Sequence, residues 1–182
     1  MKLEVLDQNS TYHIYNRGIN GCTIFASDEN KSYFLKLVEK YLENVASIHA
    51  YCLMDNHFHF LMTINVSSDI ATQAFSNLFN SYAKAFNKST GRTGSLFEKH
   101  FKRISIDNED YFKSLVVYIH TNPQHHFNED FTDFRFSSYK AYLSTNHSKL
   151  DKSESLRLFG DIENFFFAHN QKMELIEALM LE

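Results

Sequence analysis

The spacing of apolar and polar residues predicts most of the elements of this chain. Residues 11–16, TYHIYN, alternate as a half-buried strand does, and the glycine-bearing NRGINGC after them reads as a turn. A helix follows: Ser27 stands as an N-cap before Asp28 and Glu29, and Tyr33, Phe34, Leu37, Val38, Tyr41, Leu42 and Val45 recur at three-four spacing. IHAYCLM and HFHFLMTI flank Asp55-Asn56, a pair that tolerates the positive φ angles of a tight turn, so residues 48–64 are expected to form an antiparallel hairpin. A second amphipathic helix begins near Ser68-Asp69 and carries Ile70, Ala74, Phe75, Leu78, Phe79, Tyr82 and Phe86. GRTGSLFEKHFKRISI interrupts it with two glycines and resumes strand-like character, expected as a strand pair. A third helix opens at Asp107 and is expected to stop at Pro123, which lacks an amide hydrogen and biases Asn122 away from helical angles.

This order predicts an α+β protein: a ferredoxin-like sandwich, an antiparallel sheet with helices on one side. Residues 1–143 are read as the main domain. Residues 144–182 are read as a polar linker, beginning STNHSKLDKSES, and a small C-terminal helical appendage.

Composition refines the picture in three ways. Eighteen Phe and 10 Tyr with no Trp predict a phenylalanine- and tyrosine-rich core. No apolar run approaches the ~18–20 residues a membrane span needs, and MKLEVLDQNS lacks a signal-peptide core, so a cytoplasmic protein without membrane partners is expected. Cys22 and Cys52 lack zinc-knuckle spacing and read as reduced packing thiols. The net charge of −4 argues against indiscriminate coating of nucleic acid, yet residues 84–103 carry Lys84, Lys88, Arg92, Lys99, Lys102 and Arg103 against Glu98 alone, a local charge of +5. Such a patch suits either a solvated face or a phosphate track.

The stretch with the most chemistry is MDNHFHFLM, residues 54–62. On a strand, His57 and His59 project from one face with Leu61 and Thr63, while Phe58, Phe60, Met62 and Ile64 line the core face. Two imidazoles so placed can grip one cation, and equally suit two hydrogen-bonded histidines on a half-exposed strand. The chain has no HExxH, no zinc-type CxxC and no acidic cluster nearby, so a conventional zinc hydrolase lacks its usual parts. The third helix offers Tyr118 and Asn122, four residues apart and stacked on one face across ~6 Å of rise. An amide oxygen can complete a metal site, and a phenol can attack a phosphodiester whose charge a cation neutralises. Spacing alone equally allows Tyr118 to be a core residue, and does not choose among the ten tyrosines.

The blocks YHIYNRG with TIF, MDNHFHFLM, GRTGSLFEKHFKR, YIHTNP and FSSYKAYL, in that order over nearly the whole chain, resemble the single-tyrosine HUH-type transposases, and among them the REP-associated tyrosine transposases. The resemblance implies a ferredoxin-like core in which His57 and His59 form the HUH pair, Tyr118 is the nucleophile and Asn122 the third metal ligand. It implies a Mg²⁺- or Mn²⁺-dependent endonuclease and strand transferase acting on single-stranded or hairpin DNA through a 5′-phosphotyrosine, without ATP. Under it, Arg92, Lys99, Lys102 and Arg103 become DNA-binding candidates, with Phe97 or Phe101 available to stack on bases.

Three departures stand out: Asp55 in place of a common proline, His100 in place of a common arginine, and NPQHHF in place of NPVRAG. The last puts His125 and His126 in what reads as a polar turn rather than a second metal contact. The alternatives at this point are a non-cleaving hairpin-DNA binding protein of the same fold and an unrelated zinc phosphoesterase. Monomer and homodimer both stay open.

Overall fold

The computed structural model describes residues 4–127, 129–145 and 148–171. In chain order these form β1 (Thr11–Arg17), a 3-10 turn (Ile19–Gly21), α1 (Asp28–Leu42), β2 (Ala46–Leu53), β3 (His57–Ile64), α2 (Ser68–Thr90), β4 (Lys102–Ile106), α3 (Glu109–Phe127), α4 (Tyr139–Leu143), α5 (Lys152–Phe159) and α6 (Ile162–Asn170). The four strands make one sheet in the order β2-β3-β1-β4, every neighbouring pair antiparallel. This is the expected ferredoxin-like α+β sandwich.

The pleat sorts side chains between two cores. Tyr12 and Ile14 of β1 and Phe58, Phe60, Met62 and Ile64 of β3 face α1 and α2, where they meet Phe34, Leu37, Phe75, Leu78 and Tyr82. The expectation of helices on one side describes α1 and α2. The other face, with Ala50, Cys52, Leu61 and Ile106, packs on Leu115, Val116 and Ile119 of α3 and on Tyr139, Tyr142 and Phe165. The sheet therefore lies between two helical layers, and the histidine face lies under α3. Residues 148–171 take part in this second core: Leu150 bridges Ile48, and Phe165 stacks on Tyr142 at 4.6 Å between ring centres. The apolar pattern expected to continue past residue 171 lies outside the described residues.

Local signals explain the helix ends. Asp28 and Glu29 open α1 and Lys40 lies in its last turn, the arrangement the helix dipole favours. Gly91, at φ 68°, closes α2 in the left-handed region where a Cβ would be strained.

Three expectations need correction. Pro123 does not end α3, which continues to Phe127. A proline inside a helix costs about 3 kcal/mol. Against that, Ile119, His120, Thr121 and Asn122 are at most 2% exposed, so packing on the sheet holds the helix through the proline. The β2–β3 turn is not built on positive φ, which neither Asp55 nor Asn56 adopts. Neighbouring loops fasten it instead: Ile24 and Phe25 donate their amides to the Asp55 carbonyl, and Gly18 donates to that of Asn56. Finally, of the strand pair expected near GRTGSLFEKHFKRISI, Lys102–Ile106 is the strand, and Phe97 makes only an isolated bridge to Gly18.

Candidate active site

The β1–β3 register places Tyr15 opposite His59 and Arg17 opposite His57, on the face that α3 covers. His59 Nδ1 lies 2.9 Å from His13 Nε2, a bond between two buried imidazoles. His57 Nδ1 lies 2.7 Å from Asn56 Oδ1. With Asn56 Nδ2 donating toward the Gly21 carbonyl at 3.5 Å, that Oδ1 is the acceptor, and His57 carries its proton on Nδ1. The lone-pair nitrogen of His57 is then Nε2. It faces Asn122 Oδ1 at 3.2 Å.

Burial pulls the imidazoles toward the neutral form. His57 falls to about 4, chiefly by desolvation, and His59 is held well below its ordinary value by desolvation and then by the neighbouring histidines. At neutral pH a lone pair on His57 Nε2 therefore meets a carbonyl-type lone pair on Asn122 with no proton between them. Asn122 is fully buried and its Nδ2 has no hydrogen-bond partner. These neutral imidazoles and a converging amide oxygen fit a divalent cation held by His57, His59 and Asn122. Among the described residues no three histidine, cysteine or carboxylate side chains alone form such a group.

Tyr118 lies one helical turn before Asn122. Its ring stands edge-on to His59, centres 5.6 Å apart at 79°. Burial pushes the phenol up, while the Asn122 amide, near but short of full hydrogen-bond geometry, favours the phenolate. Cys52, opposite His59 in the β2–β3 register, is buried, and its thiol is pushed far up by desolvation. It is a packing residue, as expected.

The sequence model of the IS200-like transposases matches residues 7–122, which takes in His57, His59 and Tyr118 and ends on Asn122. The chain belongs to the IS200-like transposase family. Among solved structures, this IS200-like chain is similar to a REP-associated tyrosine transposase bound to a REP hairpin, at 18% identity and a TM-score of 0.64, over 80% of this chain and 86% of that one. The tRNA(His) guanylyltransferase of Saccharomyces cerevisiae aligns at 12% identity and a TM-score of 0.44, over 96% of this chain and 86% of that one. No curated protein matches the chain. No helix among the described residues is long and apolar enough to cross a membrane.

Within this transposase fold the basic residues picked out from sequence do not form one track. Lys102 pairs with Tyr15 and so belongs to the histidine face. Arg103 pairs with Ile14 and turns to the α2 side, its guanidinium 4.2 Å from the centre of the Phe101 ring and its Nε without a partner. Lys99 is exposed, and Arg92 lies in the loop after α2 with Nη1 buried and unpaired. Phe101 is buried and Phe97, half-buried, packs against Phe58, Phe79 and Tyr82, and both line one surface cavity with Arg103. Asp55 takes up Lys31 at 2.8 Å, and His100 adopts φ 62°.

Sequence reasoning missed His13 and Asn56 as partners of the pair. The alternation of TYHIYN already puts His13 and Tyr15 on one face, but not beside which strand. The polar turn expected for NPQHHF is instead helical, and the His126 ring lies 5.0 Å from that of His57.

Proposed function

We propose that this transposase-family chain is a metal-dependent DNA endonuclease and strand transferase that cuts single-stranded or hairpin-bearing DNA, with Tyr118 as nucleophile. One arrangement carries the reading: Asn122 Oδ1 converges on His57 Nε2 at 3.2 Å while Tyr118, a turn earlier on the same helix, lies against His59. Hairpin DNA is assigned by likeness to the REP-associated transposase, which was solved on a REP hairpin.

His57, His59 and Asn122 would hold Mg²⁺ or Mn²⁺, which supplies charge neutralisation at the scissile phosphate. Imidazole and amide donors suit Mn²⁺ better. Tyr118 Oη attacks phosphorus as its phenolic proton departs, the bond from phosphorus to the 3′-oxygen breaks, and that oxygen leaves as a hydroxyl once protonated. The 5′-phosphate stays on Tyr118, and an incoming 3′-hydroxyl reverses the step to rejoin strands. Burial raises the phenol above its ordinary value, so the neutral phenol is its resting form near neutral pH. Lys102, on the histidine face, is the basic candidate best placed to touch the cleaved strand; Arg103 faces the other side of the sheet, so it, Arg92 and Lys99 would meet DNA away from the cleavage point.

The test is incubation of the protein with labelled hairpin and single-stranded DNA and Mn²⁺, followed by mass spectrometry for a nucleotide-modified tyrosine. The expected product is an adduct on Tyr118 that vanishes in Tyr118→Phe and under chelation. An adduct that persists in Tyr118→Phe removes the nucleophile assignment, and DNA binding with no cleavage in either metal favours the non-cleaving binder.

A further inference from the structure

Because α3 runs through Pro123, Tyr118, Asn122 and His126 fall at successive four-residue steps along one face of a single helix. Had the helix stopped at the proline, the position of His126 would have been unrelated to the site. Instead its ring centre lies 5.0 Å from that of His57, at 68°, while His59 lies 5.2 Å from His57 at 83°. Two imidazoles bound to one ion through bonds near 2.1 Å have ring centres roughly 5 Å apart. The spacing of His57 and His126 matches this, and so does that of the His57–His59 pair.

A hydrogen bond and edge-to-face ring packing also bring rings this close, and the first explains His13 and His59, whose nitrogens lie 2.9 Å apart. No hydrogen bond is found between His57 and His126, and His57 has both nitrogens directed elsewhere, Nδ1 to Asn56 and Nε2 toward Asn122. His126 is exposed at the edge of the site, so its side chain is free to choose a rotamer. The three rings do not yet converge as a closed group, and rotation at His126 is the adjustment that would close it.

We propose that His126 is an additional metal ligand, making the centre three imidazoles and one amide oxygen. This rests on the metal centre argued above and extends it. A nitrogen-rich set of this kind favours Mn²⁺, Co²⁺ or Zn²⁺ over Mg²⁺, whose chemistry prefers oxygen donors.

The experiment titrates the full chain, His126→Ala, His126→Gln and His57→Ala with Mn²⁺ and Co²⁺, and counts metal-coupled imidazole nitrogens by pulsed electron paramagnetic resonance of the Mn²⁺ forms. The expected count is three in the wild type and two in both His126 variants, with Co²⁺ affinity lowered about 10-fold or more. Because His126 is exposed, thermal unfolding of its variants should match the wild type. A count of two in wild type and His126 variants alike, falling to one in His57→Ala, overturns the inference and leaves the three-ligand centre standing. A count of zero in every protein overturns both.

Discussion

His13 Nε2 sits 2.9 Å from His59 Nδ1, so one of these neutral rings donates and the other accepts. For His59 to present a lone pair on Nε2 it must carry its proton on Nδ1, which makes His13 the acceptor and the group that sets the His59 tautomer. His13→Ala should therefore weaken Mn²⁺ binding and cleavage about 10- to 100-fold, the usual range for such supporting partners. His13→Asn, whose amide oxygen accepts in the same way, should recover part of the loss. Calorimetric Mn²⁺ titration of the three proteins checks this, and equal affinity in all of them would show that the bond does not orient His59.

Gly18 follows β1 so closely that an added Cβ would lie 1.9 Å from the Cys22 carbonyl oxygen. Backbone must move to relieve that contact, and the Gly18 amide also holds the turn leading into His57 through the Asn56 carbonyl. Gly18→Ala should cost about 2–3 kcal/mol, the upper part of the range for overpacking, and lower cleavage with it. Urea unfolding measures the first effect, and an unchanged midpoint would mean the loop yields freely.

Acid should destabilise the fold before most carboxylates titrate. His169, 3% exposed, is lowered to about 4 by burial, offset in part by its bond to the Phe165 carbonyl. In the folded state it stays neutral, so as pH falls from 6.5 toward 4 the unfolded chain takes up a proton that the native chain refuses. The stability is complete above pH 6.5 and is lost on the way down to about pH 4, by about 3 kcal/mol for this residue. His13, lowered to about 3 by desolvation, acts in the same direction. Denaturant midpoints should hold near pH 7.5 and fall progressively as pH drops below about 6.5 toward 5, and a flat profile would contradict neutral burial of these rings.

Lys102 and Arg103 are neighbours in sequence but point to opposite faces of the sheet. Lys102→Ala should weaken single-stranded DNA binding uniformly across sequences and reduce the slope of log K against log salt by about 0.7. Phe101→Ala should act through stability instead, costing about 3–5 kcal/mol because the ring is 8% exposed among Phe75 and Phe79. Salt-dependent fluorescence anisotropy, paired with thermal unfolding, separates the two effects.

Periodicity determined β1, β2 and β3, the two long helices on the phenylalanine side and the single face shared by His57 and His59, because such patterns follow from 2-residue and 3.6-residue repeats within one segment, but it overpredicted a strand before β4. It also put Tyr118 and Asn122 one turn apart. The tertiary structure decided which strand lies beside which, and hence that His13 meets His59 and that Lys102 parts from Arg103. It decided that α3 covers the histidine face and passes through Pro123, carrying His126 to the side of His57. Those outcomes rest on burial between segments far apart in the chain, where packing on a sheet outweighs the local preference of a proline or an Asp-Asn turn.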